Sequence, residues 1–157
     1  MDHGPIIKSI REDIKPDDTA KSLYERLFKV GTNLLQKTLE KYETKTVNLT
    51  PQDHEQATFT QMLTRDDGFI DFKTLSSNKD FFDKIIRAYY PWPGVWTKTS
   101  LSSKSQAKII KFLPNKRIQV QGGREMEYKD FINGYPDAKK NLIEFLKEDI
   151  WGKKLIN

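Results

Sequence analysis

The residues best placed by type and spacing to do chemistry are seven cations, Lys98, Lys104, Lys108, Lys111, Lys116, Arg117 and Arg124, in a stretch with no acidic residue. Clustered fixed positive charge favours a polyanion, because each phosphate neutralised releases condensed counterions. A solvated basic face with no partner is the alternative. Other chemistries are thinly supplied. The chain has no cysteine, which excludes thiolate nucleophiles and disulfides and makes a reducing cytoplasm the natural compartment. His3 and His54 lie far apart in sequence, so no metal site is expected. Asp66 and Asp67 could exchange protons as a carboxylate pair, but adjacent acids before Gly68 read as turn formers. Gln121-Gly122-Gly123-Arg124 is too short to cradle a phosphate and predicts a hairpin turn.

The cations must be held by strands. Val95–Thr99, Ala107–Leu113 and Arg117–Gln121 alternate in the manner of half-buried strands, with turns at Ser102–Ser105 and at Pro114-Asn115. Ahead of them, Phe81, Phe82, Ile85, Ile86 and Tyr89 fill one side of a helix that Ser76, Ser77 and Asn78 can cap. Pro91 stops that helix and Pro93 fixes a second φ, while Gly94 permits a conformation that other residues resist. Tyr89, Trp92 and Trp96 are expected to weld this helix to a small β-domain, base stacking being the rarer use of such rings. Downstream, Glu127–Gly134 predicts a short helical turn and Asp137–Trp151 a C-terminal helix.

The first half reads differently. Gly4–Ile14 carries β-branched isoleucines in partial alternation and predicts a strand, one that needs neighbours from a distant segment or a larger sheet. Lys15–Thr19 is a helix start, and Ala20, Leu23, Tyr24, Leu27, Val30, Leu34, Leu35, Leu39 and Tyr42 form the apolar stripe of a long amphipathic helix. Gly31 inside it costs about 1 kcal/mol relative to alanine unless packing needs the gap. Residues 44–56 are polar and read as a linker between a segment at 1–43 and a domain at 57–157.

The 157 residues suffice for one ordinary domain or two small ones. The net charge of +5 is uneven: residues 1–97 hold 14 Lys and Arg against 15 Asp and Glu, and residues 98–157 hold 13 against 7. The basic excess thus belongs to the strand-rich half. No apolar run is long enough to span a membrane. Met1-Asp2-His3-Gly4-Pro5 has neither a basic nor an apolar region, so no signal peptide is expected.

Several motifs resemble one family in collinear order. Arg87-Ala88-Tyr89-Tyr90-Pro91-Trp92-Pro93-Gly94-Val95-Trp96 closely resembles the Arg-Ala-Phe-x-Pro-Trp-Pro-Gly-Ala-Trp signature of methionyl-tRNA formyltransferases. Ala57-Thr58-Phe59 through Met62-Leu63, then Asp67-Gly68-Phe69-Ile70-Asp71-Phe72, are similar to that family's Ala-Thr-Tyr and Gly-x-Ile-Asp-Trp stretch. Val120–Met126 and Asp130–Gly134 resemble its closing segment, and Asp17–Leu27 resembles the helix that ends its catalytic domain.

The resemblance implies an α+β chain: a remnant of a Rossmann-like formyltransferase domain (strand plus long helix), a linker, then a small OB-like β-barrel, open or reduced, with flanking helices. Between Lys111 and Ile118 there is almost no room for the further strands the family usually has. It implies a transferase of protein biosynthesis that moves a formyl group from 10-formyltetrahydrofolate to initiator methionyl-tRNA in translation initiation. Within that pattern Arg87, Pro91, Trp92, Pro93, Gly94 and Trp96 are the structural motif, and Lys98, Lys104, Lys108, Lys111, Lys116, Arg117 and Arg124 are the expected tRNA-binding cations. Asp2 falls on the family's catalytic aspartate. The asparagine and histidine that would complete it belong to sequence preceding Met1, as does the folate site. The chain is therefore expected to be a truncated cytoplasmic fragment that binds tRNA without catalysing transfer, with initiator methionyl-tRNA and an N-terminal catalytic fragment as partners. A freestanding RNA-binding or structural OB-like module and a fragment of a sugar formyltransferase are the alternatives.

Overall fold

In a computed structural model, the structure describes residues 3–71, 79–102, 105–138 and 140–151. Asp2, Phe72, Ser76, Ser77, Asn78 and Lys104 lie outside the described residues. The chain divides into two compact units, Met1–Met62 and Leu63–Asn157.

The first unit is built on α1, Ala20–Glu43. Its start is a capping box: the Thr19 hydroxyl accepts from the Ser22 amide at 3.1 Å, and the Ser22 hydroxyl accepts from the Thr19 amide at 3.0 Å, satisfying two amides that the helix leaves free. Just before the cap, Asp18 is buried and accepts from the Lys15 amide (2.7 Å), from Ser22 Oγ (3.0 Å) and from both terminal nitrogens of Arg26 (2.7 and 2.5 Å). Arg26 also donates to Glu12 at 2.7 Å and to the Asp13 carbonyl at 2.9 Å. One guanidinium thereby fastens residues 12–18 to the first turns of α1.

The strand expected at residues 4–14 does not form. Ile6 makes a single antiparallel bridge with Thr50, amide to carbonyl at 2.8 and 2.9 Å, and the rest of the segment is irregular. A strand exists only where a neighbour supplies a ladder, and here the neighbour is one residue of the polar stretch 44–56. No residue of α1 is buried, and Tyr24, Leu27, Phe28, Leu35, Leu39 and Tyr42 are all exposed.

The second unit holds the core. A 3-10 turn at Arg65–Gly68 leads to Phe69, which bridges Trp96 in parallel. Helix α2, Lys79–Ala88, stops ahead of the Pro91 and Pro93 turn, where both X-Pro bonds are cis and Gly94 has φ +73°. The sheet follows as an antiparallel meander of β1 (Val95–Thr99), β2 (Lys108–Leu113), β3 (Arg117–Val120) and β4 (Glu125–Glu127), in that spatial order. Asn115 and Lys116 take positive φ between β2 and β3, the conformation that a tight hairpin demands. The turn foreseen at Gln121–Arg124 is present, with Gly122 at φ +79°, and it delivers β4, which is too short and too charged to read as a strand in the sequence.

Helices α3 (Tyr128–Gly134) and α4 (Lys140–Trp151) close the unit. Strict alternation buries Val95, Thr97 and Thr99 of β1, Ile110 and Phe112 of β2, and Ile118 and Val120 of β3. Against this face pack Phe82 and Ile86 of α2, Tyr128 and Phe131 of α3, and Leu142, Phe145 and Leu146 of α4. Phe82 meets Phe112 and Phe145 edge-on, at centroid distances of 5.2 and 4.8 Å, the geometry that aromatic quadrupoles favour. Phe81 is exposed rather than part of this face. Sheet and helices together make the α+β class that the sequence predicts, with the core on one side of the sheet and the candidate site on the other.

Candidate nucleic-acid interface

One face of the sheet being core, every second residue is left for the other. The register sets Trp96 of β1 opposite Lys111 of β2, Lys111 opposite Gln119 of β3, and Gln119 opposite Glu125 of β4. These four make one row across the outer face. Leu113, Arg117 and Glu127 make the next row, and Lys98, two residues beyond Trp96, lies on the same side of β1. Lys98 and Lys111 are exposed, and neither is ion-paired among the described residues.

The other expected cations are distributed less evenly. Arg117 is exposed and ion-paired with Glu125 at 3.0 Å, so its charge is half spent inside the sheet. Lys116 is exposed in the β2–β3 turn and Arg124 in the β3–β4 turn. Lys108 opens β2 and lines a separate recess with Leu101, Ser102, Ser105 and Tyr135. Lys104 lies outside the described residues, as does Asp2. The acid-free stretch is therefore less uniformly basic in space than along the chain, because β4 lays Glu125 and Glu127 beside Arg117 of β3.

Sequence reading missed Arg65. It stands 31 residues upstream of Trp96 in a turn with no basic neighbours, so no local signal marks it. Its backbone carbonyl accepts the Trp96 indole N–H at 3.0 Å, and its guanidinium sits 5.4 Å from the centre of that ring, within cation–π range. Phe69 packs on the same indole at 4.9 Å. Trp96 is thus fixed as a half-buried wall, and Tyr89 is half-buried against the core. Both act as anchors, Tyr89 at the end of the helix as expected and Trp96 for the Arg65–Phe69 segment rather than for the helix. Trp92 does not: it is 60% exposed, because Pro91 and Pro93 carry it outward while Pro93 itself is buried. Arg87, also in the motif, donates to Asp83 at 2.8 Å and holds the end of α2. Trp92, Trp96, Arg65, Lys111, Gln119 and Glu125 line a cleft of about 620 Å³.

The carboxylate pair has a structural occupation. Asp67 accepts from the Thr64 amide at 2.6 Å and the Thr64 hydroxyl at 2.8 Å. Those bonds, the amide's first, hold its carboxyl below the usual range, which makes it a cap and a poor proton acceptor at neutral pH. His3 and His54, far apart in sequence, bring their rings to 5.5 Å. Even so, no group of three or more His, Cys, Asp or Glu among the described residues is arranged to hold a metal ion. No described helix is long and apolar enough to cross a membrane.

Comparison with known proteins agrees with the collinear motifs. No family model matches the chain. It is 40% identical over 97 residues to the methionyl-tRNA formyltransferase of Roseiflexus sp. (strain RS-1), a match covering 62% of this chain and 29% of that protein. Longer matches reach the methionyl-tRNA formyltransferases of Koribacter versatilis (strain Ellin345), 29% identical over 90% of this chain and 53% of that protein, and of Alkaliphilus oremlandii (strain OhILAs), 27% identical over 91% and 54%. The matched region is the C-terminal portion of these relatives, and the chain spans about half of their length or less. The Koribacter match runs over 168 residues, more than the 157 of this chain, so that relative carries insertions inside the matched region.

Proposed function

We propose that this chain, homologous to the C-terminal portion of methionyl-tRNA formyltransferases, supplies the tRNA-holding part of such an enzyme. The reaction would pass a formyl group from 10-formyltetrahydrofolate to the methionyl amine on initiator tRNA, in the cytoplasm, at the start of protein synthesis. The observation that carries this reading is the 40% identity over a C-terminal segment. It is supported by the exposed cations Lys98 and Lys111, without an ion pair among the described residues, on a sheet face that the core leaves free. Arg124 and Lys116 at the hairpin turns extend the same positive field.

Holding tRNA and transferring the formyl group are separable tasks. Transfer needs a group to polarise the formyl oxygen and another to take the proton of the attacking amine, converging in a site that excludes water. Among the described residues, Asp67 is committed to capping Thr64, and His3 and His54 set their rings against each other at 5.5 Å. The chemistry therefore falls to the portion that relatives carry ahead of the matched region. Among the described residues, every buried hydrophobic one lies between Ile70 and Leu146, and Tyr24, Leu27, Phe28, Leu35, Leu39 and Tyr42 of the α1 stripe are exposed. That stripe is the surface on which the catalytic portion would seat, and α1 with its preceding segment would be the end of its Rossmann-like domain. The β-unit is read as a reduced OB-like module, its four-stranded meander standing for the family's fuller barrel.

The experiment is a salt titration of tRNA binding with the full chain. The logarithm of the binding constant should fall linearly with the logarithm of salt. Binding that is absent, or indifferent to salt, would overturn the reading. Incubated with formyl donor and charged initiator tRNA, the chain alone should give no formylmethionyl-tRNA above blank.

A further inference from the structure

We infer that the cleft between Trp92, Arg65 and Lys111 seats one unpaired base of a nucleic-acid strand, with the Trp92 indole as its stacking platform. This deepens the tRNA-holding reading and rests on it. Tyr89 is packed against the core and Trp96 is held by Arg65 and Phe69, whereas Trp92 between them stands 60% exposed. Pro91 and Pro93 fix φ on either side of it, so the ring is presented by a backbone with little freedom to lose. A large, pre-positioned ring open to water is expensive unless something covers it, and every base has a π-face with which to do so.

The rest of the cleft fits a nucleotide better than an apolar partner. Its volume of about 620 Å³ is in the range of small-ligand sites. Lys111 lines it without a carboxylate partner, Arg65 stands over the Trp96 indole, and Lys98 lies just beyond on the same face. Glu125, its acidic member, is already paired with Arg117 at 3.0 Å, which leaves the local field positive. Gln119 donates from its amide nitrogen to the Gly123 carbonyl at 3.1 Å, leaving its side-chain oxygen to accept from a base edge. Stacking on Trp92, with phosphates on either side reaching Lys111 and Arg65, uses each of these groups once.

The test compares two single-stranded hexaribonucleotides of equal charge, oligoadenylate and an oligomer of abasic sugars, by binding and by quenching of tryptophan fluorescence. The wild-type chain should prefer the base-bearing oligomer by about fivefold or more. Trp92→Ala should erase that preference and leave the salt slope intact, while Trp92→Phe should keep most of it and lose most of the quenching. Equal affinity of the wild type for both oligomers overturns the inference without any variant having to fold, as does a preference that survives Trp92→Ala. Equal, salt-dependent binding of both would leave the tRNA-holding reading standing. Failure to bind either oligomer or tRNA would remove both.

Discussion

Gly68 and Gly94 meet so closely that a Cβ on Gly68 would lie 1.9 Å from the Gly94 carbonyl oxygen. The obstacle is backbone, which cannot swing away as a side chain would. Gly94 is itself held at φ +73° and donates its amide to the Tyr89 carbonyl at 2.9 Å. Gly68→Ala should therefore destabilise the second unit by about 1–3 kcal/mol. The lowered denaturant midpoint should come with an unchanged m-value. A midpoint equal to wild type would mean that the two turns can separate freely.

Acid should loosen the first unit through Asp18. The Arg26 guanidinium, before any other cause, holds its carboxyl well below the ordinary range, and the pairing holds Arg26 above its own. A carboxyl depressed on folding lends stability above its unfolded value, about 3.9, and that stability is lost as pH falls toward the folded value. Helical circular dichroism should accordingly decline below about pH 4. In Asp18→Asn this component of the decline should be missing and stability at pH 7 lower; an acid transition identical to wild type would assign the effect elsewhere.

How much of this was legible in the sequence depends on whether the signal was local. The helix start at Lys15–Thr19, the halt before Pro91 and the span Val95–Thr99 follow from side-chain chemistry within a few residues, and the structure has them there. Failures came where a partner decides. The isoleucines after Gly4 have the β-branched character of a strand, yet strand formation is settled by a neighbour, and only Thr50 answers. Glu125 broke the apparent uniformity of the basic stretch because β4 pairs with β3, a relationship invisible to a charge count along the chain. Arg65 joined the candidate site from a distant turn, and Trp92 left the core because its flanking prolines aim it outward.

Cations on the sheet should differ in their effect on tRNA binding according to their partners. Lys98 and Lys111 face solvent unpaired, so replacing both by alanine should lower affinity and reduce the magnitude of the salt slope by about two. Arg117 is held by Glu125 at 3.0 Å, and replacing Arg117 alone also frees a carboxylate next to the interface. Arg117→Ala should thus weaken binding through repulsion, and the double variant Arg117→Ala with Glu125→Ala should recover part of the loss. Equal slopes for wild type and the Lys98, Lys111 double variant would place the polyanion elsewhere.

Gly31 separates what helix α1 needs by itself from what a partner needs of it. It falls on the exposed stripe with Tyr24, Phe28, Leu35, Leu39 and Tyr42, and a Cβ there would meet nothing within 4 Å. In the chain alone, Gly31→Ala should stabilise α1 by about 0.5–1 kcal/mol, since alanine loses less backbone freedom and no atom opposes it. If the stripe is the seat of the catalytic portion, a glycine at its centre allows close approach that a methyl would block. The same substitution should then weaken association with a separately produced N-terminal portion, measured by calorimetry or by recovered formyl transfer. A gain in stability together with unchanged association would leave Gly31 without a role in docking.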